Sequence, residues 1–147
     1  MKALIVYDSQ FGNTEVIARA VAGAAPRGAA RAVRAGEANV TDLEGVDVLA
    51  VGSPTLGGRP TPAIKAFLDG LPAGSLAKVR VAAFDTRMTI VIAKLFGWAA
   101  DRIAAGLAAK GGIPAAKAAG FVVKGREGPL ADGERERAAV WAKGFLG

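Results

Sequence analysis

Short, nearly all-apolar runs alternate with helical stretches along the whole of this 147-residue chain, and that alternation most limits the folds open to it. Runs with strand character cover residues 2–7, 30–34, 46–52, 79–84 and 120–123. The segments Val46-Asp47-Val48-Leu49-Ala50-Val51 and Val79-Arg80-Val81-Ala82-Ala83-Phe84 are almost free of polar residues, as central strands covered on both faces are. Helices fit residues 14–24, 61–68, 89–110 and 132–145. Thr61-Pro62 supplies a cap followed by proline at the first helical position, and Gly111-Gly112 a stop for the third helix. Residues 42–45 have room for little more than a turn. Strand and helix in repeated alternation require parallel strands joined by right-handed crossovers. The expected architecture is α/β: a three-layer, doubly wound, five-stranded parallel sheet.

Composition narrows the chemistry. Cysteine is absent, which excludes a disulfide framework, a thiol nucleophile and iron–sulfur ligation. Histidine is absent as well, removing the usual general base and most zinc chemistry. The length, with a hydrophobic fraction of 52% gathered in periodic runs, fits one domain over residues 1–147. No apolar run is long enough to cross a bilayer. Asp8 and Gln10 interrupt the first apolar stretch, so no signal peptide is expected and the cytoplasm is the expected compartment.

The net charge of +6 is uneven. Residues 1–75 hold seven Lys/Arg and seven Asp/Glu, whereas residues 76–147 hold twelve and six. Cations such as Lys94, Arg102 and Lys110 recur at helical spacing without interleaved aromatics. That pattern describes a solvated helix face, so neither nucleic acid nor membrane is an expected partner.

Ligands of open α/β sheets bind beyond the carboxyl ends of the strands, where the strand order reverses. Three connections of unusual chemistry leave such ends. After the first strand, Ser9-Gln10-Phe11-Gly12-Asn13-Thr14 leads into a helix whose first amides are unpaired and whose dipole is positive there. No Lys or Arg lies between Asp8 and Thr14, so this loop suits a phosphate held by neutral donors. It fits equally an ordinary strand–turn–helix capped by Thr14 or Ser9.

The second connection, Ser53-Pro54-Thr55-Leu56-Gly57-Gly58-Arg59-Pro60, has two glycines framed by prolines. Prolines stiffen it and the glycines admit a flat ligand close to the main chain. A plain turn into a helix needs far fewer residues. The third, Phe84-Asp85-Thr86-Arg87-Met88, offers an acceptor, a hydroxyl and a cation, which serve equally as a helix cap with surface charge.

Together these motifs resemble the flavodoxin family over essentially the whole chain. Ser9–Thr14 is similar to that family's phosphate loop, [Thr/Ser]-x-Thr-Gly-Asn-Thr, and Gly52-Ser53-Pro54-Thr55-Leu56-Gly57 to the loop under one face of the flavin. Phe84-Asp85-Thr86 matches the loop on the other side. Gly125-Arg126-Glu127-Gly128-Pro129-Leu130 with Gly133-Glu134-Arg135-Glu136-Arg137 looks like a segment of short bacterial flavodoxin-like proteins. The resemblance implies the strand order 2-1-3-4-5, for which flavodoxin is the type example, with FMN at the switch between strands one and three. It implies an FMN-binding one-electron carrier rather than an enzyme with its own substrate. Ser9, Gln10, Phe11, Gly12, Asn13 and Thr14 would then hold the phosphate. Pro54, Thr55, Leu56 and Gly57 would line one side of the ring, with Asp85, Thr86 and Arg87 toward the other. Gly57 matches the family's glycine whose peptide reorients when flavin N5 gains a proton.

Three features depart from the pattern. Phe11 stands where the family usually has Thr, no Trp or Tyr occurs in either ring loop, and the chain is basic where flavodoxins are acidic. Leu56 and Met88 are left to pack on the ring, while Trp98 and Trp141 fall within expected helices. Arg59 and Arg87 at the rim imply easier reduction of the flavin and redox partners that dock through an acidic patch, with the protein a monomer or weak dimer. Two other readings use the same fold: a module that has lost FMN and binds a partner or another phosphorylated ligand, and an FMN-dependent quinone or NAD(P)H oxidoreductase. The latter needs a second pocket, and no dinucleotide fingerprint is present. A response-regulator receiver would need aspartate at the end of strand three, where Ser53 stands.

Overall fold

All five residues of β1 (Ala3–Tyr7) are buried, because strands lie on both sides of it and helices on both of its faces. The computed structural model describes residues 1–89 and 97–147. Within them, β1 is followed by β2 (Ala30–Arg34), β3 (Val48–Pro54), β4 (Arg80–Arg87), β5 (Ile113–Pro114) and β6 (Ala119–Val122). The helices are α1 (Asn13–Gly23), α2 (Pro62–Asp69), α3 (Ala99–Ala109) and α4 (Glu134–Leu146). All pairings are parallel and the order is β2-β1-β3-β4-β5, with β6 also on β4. This is the expected doubly wound α/β sheet.

Alternation along the strands sorts side chains into two cores. Leu4, Val6, Leu49, Val51, Val81 and Ala83 meet Ile64 and Leu68 of α2 and Ile103 and Leu107 of α3. Ala3, Ile5, Tyr7, Val48, Ala50, Ala82 and Phe84 meet Ile17 and Val21 of α1 and Ala138, Ala142 and Phe145 of α4. Each fully buried Leu, Ile or Val contributes about 1.5–3 kcal/mol of transfer free energy, so burial in both layers stabilises the sheet between them.

The fifth sheet position is shared by two short strands. Ile113 and Pro114 pair with the start of β4, and Ala119–Val122 with its end, from Phe84↔Ala119 to Arg87↔Val122. That second pairing carries β4 to Arg87, so Asp85, Thr86 and Arg87 lie on a strand and not in the loop expected after Phe84. Likewise β3 begins at Val48 and runs through Ser53 and Pro54, whose residues pair with Asp85 and Thr86.

The helix expected over residues 89–110 is not continuous, because Gly97 and Trp98 break it. Residues 90–96, including Lys94, lie outside the described residues. Gly97 has φ 78°, Trp98 is extended at φ −131°, and helical geometry begins at Ala99. Trp98 is therefore not a helix-interior residue. Its C-terminal stop is as expected, with Gly111 at φ 97° beyond the cap Lys110. Thr61 caps α2 through its Oγ1, which accepts from the Ile64 amide, with Pro62 opening the helix. The turn near Asp42 is a short 3-10 segment, Val40–Leu43. Among the described residues no helix is long and apolar enough to cross a membrane.

Candidate functional site

The carboxyl ends of β1, β3 and β4 open onto one cleft of about 270 Å³, on the side of the switch between β1 and β3. Its first wall is the turn after β1. Gly12 caps α1 at φ 92°, ψ −8°, a left-handed state that costs other residues about 1–2 kcal/mol. Ser9 Oγ accepts from the Gly12 amide at 3.0 Å and the Glu15 amide at 3.4 Å, closing the turn on itself. The amides of Asn13 and Thr14 have no protein acceptor among the described residues, so two donors at the positive end of α1 stay open.

Behind the turn, Arg34 donates to the Ser9 carbonyl at 3.3 Å and to Glu15 Oε1 at 3.1 Å. Hydrogen bonding from Arg19, with the nearby charge of Arg34, holds the Glu15 carboxyl below its ordinary range. The acid in the first turn of α1 is thus ionised and offset by two cations. Thr14 Oγ1 lies 2.8 Å from Thr86 Oγ1, both side chains being buried, and this pair ties the helix start to the end of β4.

The second wall follows β3. Ser53 Oγ donates to the Pro54 carbonyl and accepts from the Thr61 amide, which folds the chain back toward α2. Leu56 and Arg59 exchange both backbone hydrogen bonds, at 2.8 and 3.0 Å, around Gly57 at φ 56° and Gly58 at φ 81°. Two left-handed central residues make the mirror-image hairpin turn that glycine pairs enter without strain. Arg102 Nε donates to the Gly58 carbonyl, and Thr55 is held by the Thr86 carbonyl and by the Ala99 amide.

Asp85 and Arg87 neutralise each other. Arg87 Nε and Nη2 reach the two Asp85 oxygens at 2.6 and 2.8 Å, and the Ala100 amide donates to Oδ2 at 2.9 Å. The guanidinium lies 4.0 Å from the Trp98 ring centroid. Its other neighbour is Gly120, where a Cβ would stand 2.1 Å from the guanidinium carbon. Asp85 has no exposed surface and Arg87 is 17% exposed.

Ten of the thirteen residues singled out from sequence line the cleft: Ser9, Gln10, Phe11, Asn13, Thr14, Pro54, Thr55, Leu56, Thr86 and Arg87. The other three stand back from it. Gly12 shapes the turn, Gly57 sits at the exposed tip of its hairpin, and Asp85 is spent on Arg87 and α3. Met88, Val123 and Arg126 complete the lining. Val123, the end of the expected last strand, and Arg126, within the segment that resembles short flavodoxin-like proteins, were not among the expected site residues. The reverse-turn signal in Gly125-Arg126-Glu127-Gly128-Pro129 is the feature that points to them. Arg126 also alters the expectation of a cleft with only uncharged donors. That expectation looked along the chain from Asp8 to Thr14, and this cation arrives from the far end of the sequence.

The sequence model of the flavodoxin family matches residues 5–141. A sequence search of curated proteins found no match. Among solved structures, oxidised flavodoxin 1 from Bacillus cereus superposes with a TM-score of 0.82 at 19% identity, over 99% of this chain and 97% of that one. A flavodoxin from the domain Archaea gives 0.79 at 20% identity, over 99% and 96%. The Streptococcus pneumoniae TIGR4 flavodoxin gives 0.78 at 18%, over 99% and 97%. At such identities the superpositions speak for the fold, and the match over residues 5–141 speaks for descent: the chain belongs to the flavodoxin family, whose cofactor is FMN and whose general role is electron transfer.

Proposed function

We propose that this protein is a low-molecular-weight one-electron carrier that holds FMN in the cleft at the ends of β1, β3 and β4. The observation that carries the reading is the coincidence, in one cleft, of open α1 amides with an apolar wall of Pro54, Leu56, Met88 and Val123. Amides and hydroxyls suit a phosphate, and the apolar wall suits a flat ring. When bound, FMN supplies the redox chemistry, and the protein contributes binding, orientation and electrostatics.

The roles divide by chemistry. The Asn13 and Thr14 amides, the Ser9 and Thr14 hydroxyls and Gln10 hold the phosphate. Pro54, Thr55 and Leu56 cover one side of the ring, and Thr86, Arg87 and Met88 approach the other. Phe11, 45% exposed on the cleft wall, supplies apolar area where the family pattern has a hydroxyl. Asp85 acts through Arg87, holding the guanidinium flat and cancelling its charge. Gly57 is the position at which the family's reorienting peptide would lie, and a Cβ built there meets no atom within 4 Å.

The surplus of cations favours redox partners with an acidic docking patch, in the cytoplasm, met by a monomer or weak dimer. Titration of the flavin-free protein with FMN, followed by flavin fluorescence, tests the reading. Saturable one-to-one quenching and a stable yellow complex after gel filtration are expected. A protein that stays colourless in excess FMN would instead be a binding module of the same fold. NAD(P)H consumption without an added reductase would make it an oxidoreductase.

A further inference from the structure

We infer that Arg126 is the cationic partner of the cofactor's phosphate and selects the phosphorylated flavin over the unphosphorylated one; this rests on the FMN reading above. Val123 and Leu130 pair as an antiparallel bridge, Lys124 donates to the Pro129 carbonyl at 2.8 Å, and Ala131 to the Val122 carbonyl at 2.8 Å. These bonds make a hairpin that projects from the end of β6. Gly128 N–H donates to the Gly125 carbonyl at 3.0 Å, so Arg126 and Glu127 are the two central residues of its tip.

The tip is fastened to the phosphate loop. Asn13 Nδ2 donates to the Glu127 carbonyl at 3.2 Å. Gly128, at φ 107°, lies so near that a Cβ there would be 2.6 Å from Asn13 Oδ1. The first residue of α1 therefore fixes where Arg126 stands, on the cleft wall with Ser9, Gln10, Phe11 and Asn13.

Among the described residues Arg126 makes no hydrogen bond or ion pair. Glu127 beside it at the exposed tip makes no ion pair either, and the acids Asp8, Glu15 and Asp85 are engaged elsewhere. Glu15 holds Arg19 and Arg34, Asp8 holds the Ser9 amide and faces Arg34, and Asp85 holds Arg87. A guanidinium presents paired donors that match phosphate oxygens, and such charge-assisted bonds are about twice as strong as neutral ones. Arg126 thus makes good the donor lost at Phe11. It does so from a hairpin that closes over the cradle rather than from the loop itself.

The test compares FMN with riboflavin on the flavin-free protein, by fluorescence titration at two salt concentrations, for wild type, Arg126→Gln and Arg126→Lys. Loss of one charged hydrogen bond corresponds to roughly tenfold to a hundredfold in affinity. Arg126→Gln is expected to weaken FMN by that factor, to leave riboflavin within twofold and to flatten the salt dependence for FMN. Arg126→Lys is expected to recover part of the loss. Equal weakening of both flavins would overturn the inference, since it would mean a disturbed hairpin and not a lost phosphate contact. Unchanged FMN affinity would overturn it too. Wild type that binds neither flavin would instead sink the FMN reading, which keeps the two failures apart.

Discussion

Replacing Asp85 by alanine removes the acceptor for three donors at once: Arg87 Nε at 2.6 Å, Arg87 Nη2 at 2.8 Å and the Ala100 amide at 2.9 Å. The carboxylate has no exposed surface, so water cannot take its place without a rearrangement of the α3 start. Breaking a buried ion pair by deleting one partner costs about 3–5 kcal/mol, and an orphaned buried amide about 1–3 kcal/mol more. Arg87 is 17% exposed on the cleft wall and can swing toward solvent, which relieves part of that cost. About 3 kcal/mol is the expected net loss, a large share of the roughly 5–15 kcal/mol that holds a domain together. With a urea slope near 2 kcal/mol/M, the midpoint falls by about 1.5 M. Arg87→Met is expected to cost a similar amount, and the double variant much less than the sum. The measurement is urea unfolding of the flavin-free protein, because bound cofactor would add stability by mass action. A loss under about 1 kcal/mol for Asp85→Ala, or a cycle additive within about 0.5 kcal/mol, would refute the reasoning.

Acid stability should report on Glu134. Arg137 binds both its oxygens, at 2.8 and 2.7 Å, and the Val122 amide adds a third bond, so the carboxyl sits below its ordinary value of 4.5. A depressed folded pKa gives stability that is present above the unfolded value and is lost as pH falls through the folded one. Urea midpoints should therefore drop below about pH 4.5, and Glu134→Gln should flatten that drop while lowering stability at neutral pH. Superimposable acid limbs would dismiss the assignment. At Gly52, a Cβ would stand 2.1 Å from the buried Phe84 ring, so Gly52→Ala should cost about 1–3 kcal/mol in urea unfolding, and a loss below about 0.5 kcal/mol would count against the close approach. Arg59, expected at the flavin rim, does not line the cleft but pairs through its backbone with Leu56, which does. It is exposed with no ion pair among the described residues, so Arg59→Glu should make the bound flavin's midpoint potential more negative in a redox titration. Arg87→Glu is unsuited to that test because Asp85 already cancels the charge. Electron transfer to an acidic partner should slow as salt is added, and a flat rate across ionic strength would argue against docking by these cations.

Much of this was readable from contiguous residues. The strand pattern at Ala3–Tyr7 and the Thr61-Pro62 start of α2 follow from spacing and local backbone preference, as does the glycine stop after α3. The phosphate loop is likewise local: the hydroxyl at Ser9, the left-handed glycine at Gly12 and the open amides beyond it all lie within one turn of chain. The absence of Cys and His excluded whole chemistries without any structure.

Other features depended on residues far apart in the chain. Pairing with β6 extends β4 to Arg87, which turns Asp85 and Arg87 from loop residues into same-face neighbours two apart on a strand. Trp98 looked like part of a helix, yet it stands extended between Gly97 and the start of α3, with its ring against the Arg87 guanidinium. Arg126 reaches the cradle through the hairpin that Asn13 holds, a contact across 114 residues of sequence. Periodicity, caps and glycine turns are short-range properties, so they are written where they act. Which charge faces which is a sum over partners that only chain closure brings within hydrogen-bonding distance, and it is there that an apparently uncharged cradle gains its cation.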